Sequence, residues 1–277
     1  MIYGVNQEYI RYRYAIPIVY MTDLHYFSLT MARQKGIFKI TGTIGDINFY
    51  ITKGVGYARK AGGGFNGHAI RTQASMQRVR ENASEFGHCS RVKKQFRLAL
   101  LPFMSAVQDK KFHSRLMQLF LQLKTLDTVS ERGNRRVYRG LQTAKGKHLL
   151  RRFELTPPSA ILDALYRNAF FDWDTQTLHI ANFNTSNFKA PLTATHLGIT
   201  LGILDFNFDT LQYSLVVSPT AFLDVDTETT SFDLIPEVAV PPSYTGIAIL
   251  GFSYYEIIAN EVYGLETLRG VRIIEVV

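Results

Sequence analysis

The stretch from Arg71 to Phe103 constrains the fold most, because apolar residues recur along it at helical spacing. The first apolar stripe has intervals of 3, 4 and 3 and consists of Met76, Val79, Ala83 and Phe86. The second stripe, on roughly the opposite side of a straight helix, consists of Val92, Phe96, Ala99 and Phe103. Gly87 lies between the stripes, and glycine lowers helix stability. We predict a bend or turn near Gly87 and His88, or a helix covered on different sides along its length.

Three cations of this stretch, Arg91, Lys94 and Arg97, lie opposite the second stripe and are therefore expected to be exposed. Such a run is compatible with a solvated helix face or with a binding surface. A further amphipathic pattern follows, and it predicts a second helix that pairs antiparallel with the first across an apolar seam. The residues of that pattern are Phe112, Leu116, Leu119, Leu123 and Leu126.

The charge of the chain is sorted along the sequence. Residues 31–153 carry 25 Lys and Arg against 6 Asp and Glu, a net charge of +19, whereas residues 154–277 carry 4 against 15, a net charge of −11. A basic half of this kind suits a polyanion or an acidic protein surface. Since the chain carries its own acidic half, head-to-tail contact between copies is a third possibility.

Arginines also gather in a glycine-bearing segment beside a tyrosine, at Arg132, Arg135, Arg136, Tyr138 and Arg139. Guanidinium groups grip phosphate oxygens and an aromatic ring stacks on a base, so this segment is a candidate contact for nucleic acid. Pairing of the same arginines with carboxylates or helix ends is the structural alternative.

The start of the chain falls into two parts. Residues 1–30 show no helical or strand period, and we interpret them as an extension that is not native or is poorly ordered, with Met31 as the natural start. The apolar run Ala15–Met21 is too short to span a bilayer and no cleavage site follows it, so we expect a cytoplasmic chain without a membrane span. After Met31, alternating residues and turns at Gly45-Asp46 and Lys53-Gly54 predict a small antiparallel meander.

The second half has the pattern of β-structure. The segment Thr156-Pro157-Pro158-Ser159 marks a boundary, and alternating runs separated by turn residues follow it without a helical period. We therefore predict three segments, namely residues 1–30, a basic hairpin-plus-helical region at 31–153 and an acidic antiparallel β-sandwich at 154–277. The predicted fold class is α+β.

No constellation of residues indicates catalysis or a cofactor. The single cysteine, Cys89, cannot form an internal disulfide and is expected to be a packed thiol. The seven histidines show no zinc spacing. Asp224, Asp226 and Glu228 alternate along one strand face, where they form either an acidic rim or a set of calcium ligands that lacks the glycine of a calcium loop.

Several segments resemble a family of uncharacterised proteins common in Bacteroidota. They include MARQKG, GTIGDINFY, RVRENASEFG and the late run from Thr245 to Val277. The matching positions are Tyr57, Ala58, Arg59, Arg80, Glu81, Asn82, Glu85, Phe86 and Gly87. The resemblance implies a bacterial source, a start at Met31, a hairpin, a basic helical middle and a β-rich end. It implies no activity and no catalytic residues.

Together these patterns favour a non-enzymatic structural or interaction protein. Its oppositely charged halves are predicted to mediate partner binding or head-to-tail self-assembly. The alternative is nucleic-acid binding by the basic helical half. The candidate binding residues are Arg91, Lys94, Arg97, Arg132, Arg135, Arg136, Tyr138 and Arg139, without a metal or cofactor.

Overall fold

A computed structural model describes residues 32–61, 67–104, 109–238 and 241–277, with the backbone alone for residues 266–268. The extension predicted at residues 1–30 and the start predicted at Met31 lie outside these ranges. The chain divides into two compact units, Met1–Gly67 and His68–Val277.

In the first unit the described residues form an antiparallel sheet of order β1-β4-β3-β2. Its strands are β1 (Ala32–Arg33), β2 (Gly42–Ile44), β3 (Ile47–Thr52) and β4 (Val55–Lys60). Gly45, Lys53 and Gly54 adopt positive φ angles of 55°, 51° and 78°, which tight hairpin turns require. The meander predicted from these turn residues is confirmed.

The second unit begins with helices. They are α1 (Gly67–Thr72), a 3₁₀ turn (Ala74–Met76), α2 (Gln77–Ala99), α3 (Leu101–Met104), α4 (Phe112–Thr125), α5 (Val137–Leu141), α6 (Ala144–Arg151) and α7 (Ala160–Arg167). Cys89 Sγ donates to the Phe120 carbonyl oxygen at 3.5 Å, four residues after Glu85 pairs with Lys124. Since later residues of α2 meet earlier residues of α4, the two helices run antiparallel, as predicted.

Helix α2 passes through Gly87 without interruption, so the turn predicted near Gly87 and His88 was wrong, and so was the alternative of a helix covered on different sides along its length. Its buried residues lie along one side and are Glu85, His88, Cys89, Val92, Phe96 and Ala99. The first apolar stripe is therefore not a core face, and Phe86 stays 55% exposed. The physical reason is that polar side chains, described below, occupy the inward side of this half of the helix.

The strands of the second unit form two further antiparallel sheets, of order β12-β11-β7-β8 with β9 paired to β7, and β10-β6-β5. They are β5 (Ala169–Asp172), β6 (Thr177–Phe183), β7 (His196–Phe206), β8 (Tyr213–Val217), β9 (Ala221–Asp224), β10 (Thr230–Leu234), β11 (Thr245–Ile258) and β12 (Glu261–Val276). The mixture of helices with antiparallel sheets confirms the α+β prediction.

Two apolar cores hold the second unit together on opposite faces of the larger sheet. Helices α2, α4, α5 and α6 contribute to the first core, together with Leu204, Ile249 and Ile273 of the sheet. Helix α7 and strands β6 and β10 contribute to the second core, where they meet Leu201 and Leu250. The division predicted between Phe153 and Glu154 therefore does not separate two cores, because helices on one side of it pack against strands on the other.

Phe103 shows how closely the helices approach the sheet. A Cβ atom added at Gly202 would lie 2.6 Å from the Phe103 ring, and one added at Gly251 would lie 2.7 Å from it. Both glycines thus leave the space in which the ring lies on the sheet. This contact ties the C-terminal end of the α2–α3 region to β7 and β11.

Candidate interaction surface on helix α2

The inward side of the first half of α2 carries a buried ion pair. Glu85 is only 2% exposed and its carboxylate accepts from Lys124 Nζ on α4 and, at 2.8 Å, from the backbone N–H of Gly133. Burial raises the pKa of Glu85, but the Lys124 ammonium and the Gly133 amide lower it more, so it lies below its ordinary value. This residue therefore fastens both α4 and the loop after it to α2.

His88 makes the next link, one turn further along α2. Its Nε2 accepts a hydrogen bond from the backbone N–H of Val137 at 3.1 Å, so the neutral ring carries its proton on Nδ1. Burial, followed by the charges of Arg136 and Arg91, lowers the pKa of His88 to about 4. The imidazole is consequently an uncharged acceptor that positions the start of α5.

Asp127 shapes the loop between α4 and α5. Its carboxylate accepts from the backbone N–H groups of Val129, Ser130 and Arg136 at 3.1, 2.9 and 3.0 Å. Burial raises the pKa of Asp127, but these donors outweigh it and hold the pKa at about 2. These three hydrogen bonds to Asp127 therefore hold the backbone of the loop that contains the predicted arginine cluster.

The structure places the arginines of this loop mainly in structural contacts. Arg132 bonds Asn82 Oδ1 at 3.1 Å and lies 3.5 Å from the Glu81 carboxylate. Arg135 is half-buried, and its Nε lacks a hydrogen-bond partner within the described residues. Arg132 is thus held against α2 although it remains exposed, and the Arg135 side chain is directed toward the interior.

The other predicted residues lie at the start of α5. Arg136 is half-buried and its Nη1 donates to the carbonyl of Arg135 at 3.4 Å. Arg139 lies over the ring of Tyr138, with 5.3 Å between the guanidinium carbon and the ring centroid, and both residues are half-buried. The two side chains thus form a cation–π pair.

The outward side of α2 is different. Arg91 and Lys94 are exposed, as expected from their spacing, whereas Arg97, which was also expected to be exposed, is half-buried. In the part of the chain that the structure describes, no ion pair involves any of these three cations. Arg91 also lies close enough to His88 to lower its pKa, as Arg136 does, so the outer face of α2 adjoins the start of α5.

Within the described residues, the acidic end of the chain forms no ion pair with this basic surface. Among the described residues a single ion pair, Arg151 to Glu275 at 3.3 Å, joins a residue before position 154 to one after it. Other carboxylates of residues 154–277 pair with cations of the same range, for example Asp163 with Arg272 at 2.8 Å. In the part of the chain that the structure describes, direct ion pairing between residues 31–153 and 154–277 is thus confined to this one contact.

The described residues show no arrangement for the other candidate sites, namely a reactive thiol or a metal site. Cys89 is buried as predicted, and burial raises its pKa to about 11. No group of three His, Cys, Asp or Glu is arranged to hold a metal ion within the described residues, and Asp224 instead meets His196 Nε2 at 3.0 Å. Where the structure describes helices, none is long and apolar enough to cross a membrane.

Sequence reasoning missed the polar side of α2, although a pattern pointed to it. The second apolar stripe continues backward from Val92 at intervals of 3 and 4 to Cys89 and Glu85, which places a carboxylate on the buried face.

No family model, curated protein or solved structure matches this chain.

Proposed function

We propose that the chain is a non-enzymatic interaction protein that binds an acidic protein surface through the outer face of α2, with a second copy of itself as partner. The observation that carries this proposal is that Arg91, Lys94 and Arg97, on a continuous helix, form no ion pair with any described residue. The acidic, β-rich end supplies the opposite charge, and we propose that its two facing sheets form a sandwich.

The physical reason for an interaction role is that, within the described residues of one copy, the α2 cations form no ion pairs with the carboxylates of the acidic end. Unpaired cations on one surface and an excess of carboxylates on another raise the rate of encounter between copies and favour one orientation. Because the two surfaces differ, the contact is heterologous and joins copies head to tail. Screening by salt weakens such a contact.

Reversal of the α2 charges tests the proposal in the full chain. The double variant Arg91→Glu with Lys94→Glu is expected to weaken self-association at low salt by roughly tenfold or more, since attraction becomes repulsion. Light scattering across a concentration series measures it. Lys145→Glu is the matched control, because Lys145 is an exposed cation on α6 outside this surface. Unchanged association of the α2 variant would contradict the proposal.

Nucleic-acid binding is the second candidate, favoured by the stacked Arg139 and Tyr138 near the same surface. It predicts that the full chain binds a single-stranded oligonucleotide with an affinity that falls steeply with salt. Arg139→Ala should weaken that binding and leave self-association unchanged. Fluorescence anisotropy with a labelled oligonucleotide measures it, and a chain that does not bind at low salt excludes this candidate.

A further inference from the structure

The hairpin of β11 and β12 extends beyond the sheet to which it belongs. Strand β7 pairs with β11 as far as His196 with Tyr255, and Thr195 Oγ1 accepts the Ile257 N–H at 2.8 Å. Past that bond, within the residues described, β11 pairs with β12 alone. We call residues 256–264 the arm. Its turn, Ala259 and Asn260, has positive φ angles of 52° and 69°, as a two-residue hairpin turn requires.

One face of the arm combines apolar and acidic side chains. Directly paired residues of an antiparallel ribbon point to the same side, and the pairs are Glu256 with Tyr263 and Ile258 with Glu261. Ile258 is 54% exposed and Tyr263 is 49% exposed. The Tyr263 hydroxyl donates to the Glu261 carboxylate, which keeps the two side chains together.

This face lacks a partner in the described part of the molecule. Neither Ile258 nor Tyr263 belongs to one of the two cores, and neither Glu256 nor Glu261 forms an ion pair there. A two-stranded ribbon is marginally stable by itself, and exposed apolar side chains rimmed by charge mark interaction surfaces.

The outer face of α2 has the complementary composition. Phe86, Lys94 and Arg91 are all exposed, and around the helix Lys94 lies about 80° from Phe86 and Arg91 about 60° further on. Phe86 and Lys94 are separated by about 12 Å along a helix. The two pairs on the arm are about 7 Å apart along the strands, so one arm fits within this length of helix.

We infer that the arm of one copy binds the outer face of α2 on a second copy. Glu256 and Glu261 then face Arg91 and Lys94, and Ile258 and Tyr263 pack beside Phe86. This inference rests on the proposed function and names the acidic surface that the α2 cations contact.

Charge exchange between copies tests the inference with full-length chains. Glu256→Lys with Glu261→Lys on the arm, and Arg91→Glu with Lys94→Glu on α2, should each weaken association by roughly tenfold or more. An equimolar mixture of the two variants should restore association, because each reversed surface then meets a complementary one. Glu237→Lys is the control that should leave association unchanged, because Glu237 is an exposed carboxylate in the segment before Thr245, the end of β11 opposite the arm.

The outcomes separate this inference from the proposed function. If the α2 variant loses association and the arm variant retains it, the arm inference is overturned and the proposed function stands. If the α2 variant associates like the unsubstituted chain, both are overturned. A mixture that stays dissociated also overturns direct pairing of the two surfaces.

Disulfide trapping provides a second measurement that does not depend on charge. The native cysteine is buried, so cysteines introduced at exposed positions react selectively. A chain with Ile258→Cys mixed with a chain with Phe86→Cys should form an interchain disulfide under mild oxidation, more than either chain alone. Ile258→Cys mixed with Leu192→Cys, at a fully exposed position, is the control. Equal crosslinking in both mixtures overturns the inference.

Discussion

Glu85 is buried, yet the groups around it favour the charged form of its carboxylate. The carboxylate is held between the Lys124 ammonium and the Gly133 amide, at the point where α2, α4 and the following loop meet. Removal of one member of a buried ion pair leaves the other charge uncompensated, which is more costly than loss of the whole pair.

We predict that Glu85→Gln lowers the free energy of unfolding by about 3 kcal/mol, because Lys124 loses its counter-charge while Gln still accepts from Gly133. The double variant with Lys124→Met should lose less than the single variant. Chemical denaturation measures both. Glu131→Gln, an exposed carboxylate of the same loop, is the control and should change stability little. A double variant less stable than Glu85→Gln would contradict this account.

His88 should make stability depend on pH. Its pKa is about 4 in the folded chain, against an ordinary value of 6.5, and Arg136, Arg91 and Asp209 are the charged groups that act on it. Since the unfolded chain takes up this proton first, the free energy of unfolding should fall from pH 6.5 to 4, by up to roughly 3 kcal/mol. Above pH 6.5 the His88 ring is neutral in both the folded and the unfolded chain, so His88 no longer changes the free energy of unfolding with pH.

Denaturation at several pH values tests that expectation. His88→Gln retains an acceptor for the Val137 amide but does not titrate, so its stability should vary less over this range. His113→Gln, at an exposed position, should behave like the unsubstituted chain. A His88→Gln variant with the same decline between pH 6.5 and 4 would contradict the assignment.

At the residue scale, the sequence predicted which residues are exposed better than it predicted which residues they contact. The spacing of Arg91 and Lys94 was sufficient to predict exposure, because helical periodicity alone fixes the side on which a residue lies. The contact of Arg132 with Asn82 joins residues fifty positions apart, and no local pattern encodes such a pairing. The arginine cluster therefore looked like a binding loop, whereas part of it anchors the loop to α2.

Helix α2 is the element on which the account depends, and Gly87 is its weakest position by helix propensity. A Cβ atom added at Gly87 would meet nothing closer than Arg91 Nη1 at 3.8 Å, so the site accommodates alanine. We predict that Gly87→Ala raises the free energy of unfolding by about 0.5–1 kcal/mol. Thermal denaturation measures this change.

Gly140 is a matched control, at which the same substitution should change stability in the opposite direction. A Cβ atom added there would lie 1.9 Å from the Leu123 carbonyl oxygen, so α5 could not remain against α4. Gly140→Ala should therefore lower stability by about 2 kcal/mol or more. Destabilisation by Gly87→Ala would show that the glycine is needed where it lies and would contradict the continuous helix.

Elements were predictable where local chemistry decides them. The turns at Gly45-Asp46 and Lys53-Gly54 and the helical period of α4 were enough to locate a meander and a helix. The break in α2 was predicted wrongly because two apolar stripes were both assumed to be buried. In the structure the stripe that contains Phe86 faces outward, since Glu85 and His88 fill the inward side.

At the scale of the whole molecule, the helices and the larger sheet of the second unit share a core. Phe96 of α2 packs edge-on against Phe206 of β7, with 5.5 Å between ring centroids. Sequence patterns predicted the two kinds of secondary structure but not this shared core, because the contact depends on tertiary packing between distant segments.

We predict that residues 68–277 fold as a unit and that residues 154–277 alone do not. Without the helices, Phe206, Ile249 and Ile273 lose the layer that buries them. Loss of the apolar layer on one sheet face removes a major part of the stabilisation. Near-ultraviolet circular dichroism and dye binding should show fixed packing for the longer fragment only. A cooperatively folded 154–277 fragment would contradict the shared core.

Charge separation acts at the same scale, because within the described residues the cations on the outer face of α2 form no ion pair with the carboxylates of the arm. Sedimentation velocity of the full chain across a concentration series, at about 50 mM and about 500 mM salt, tests this claim most directly. We predict that the sedimentation coefficient rises with concentration at low salt and that the rise is largely lost at high salt. A single monomeric species at both salt concentrations would contradict the account.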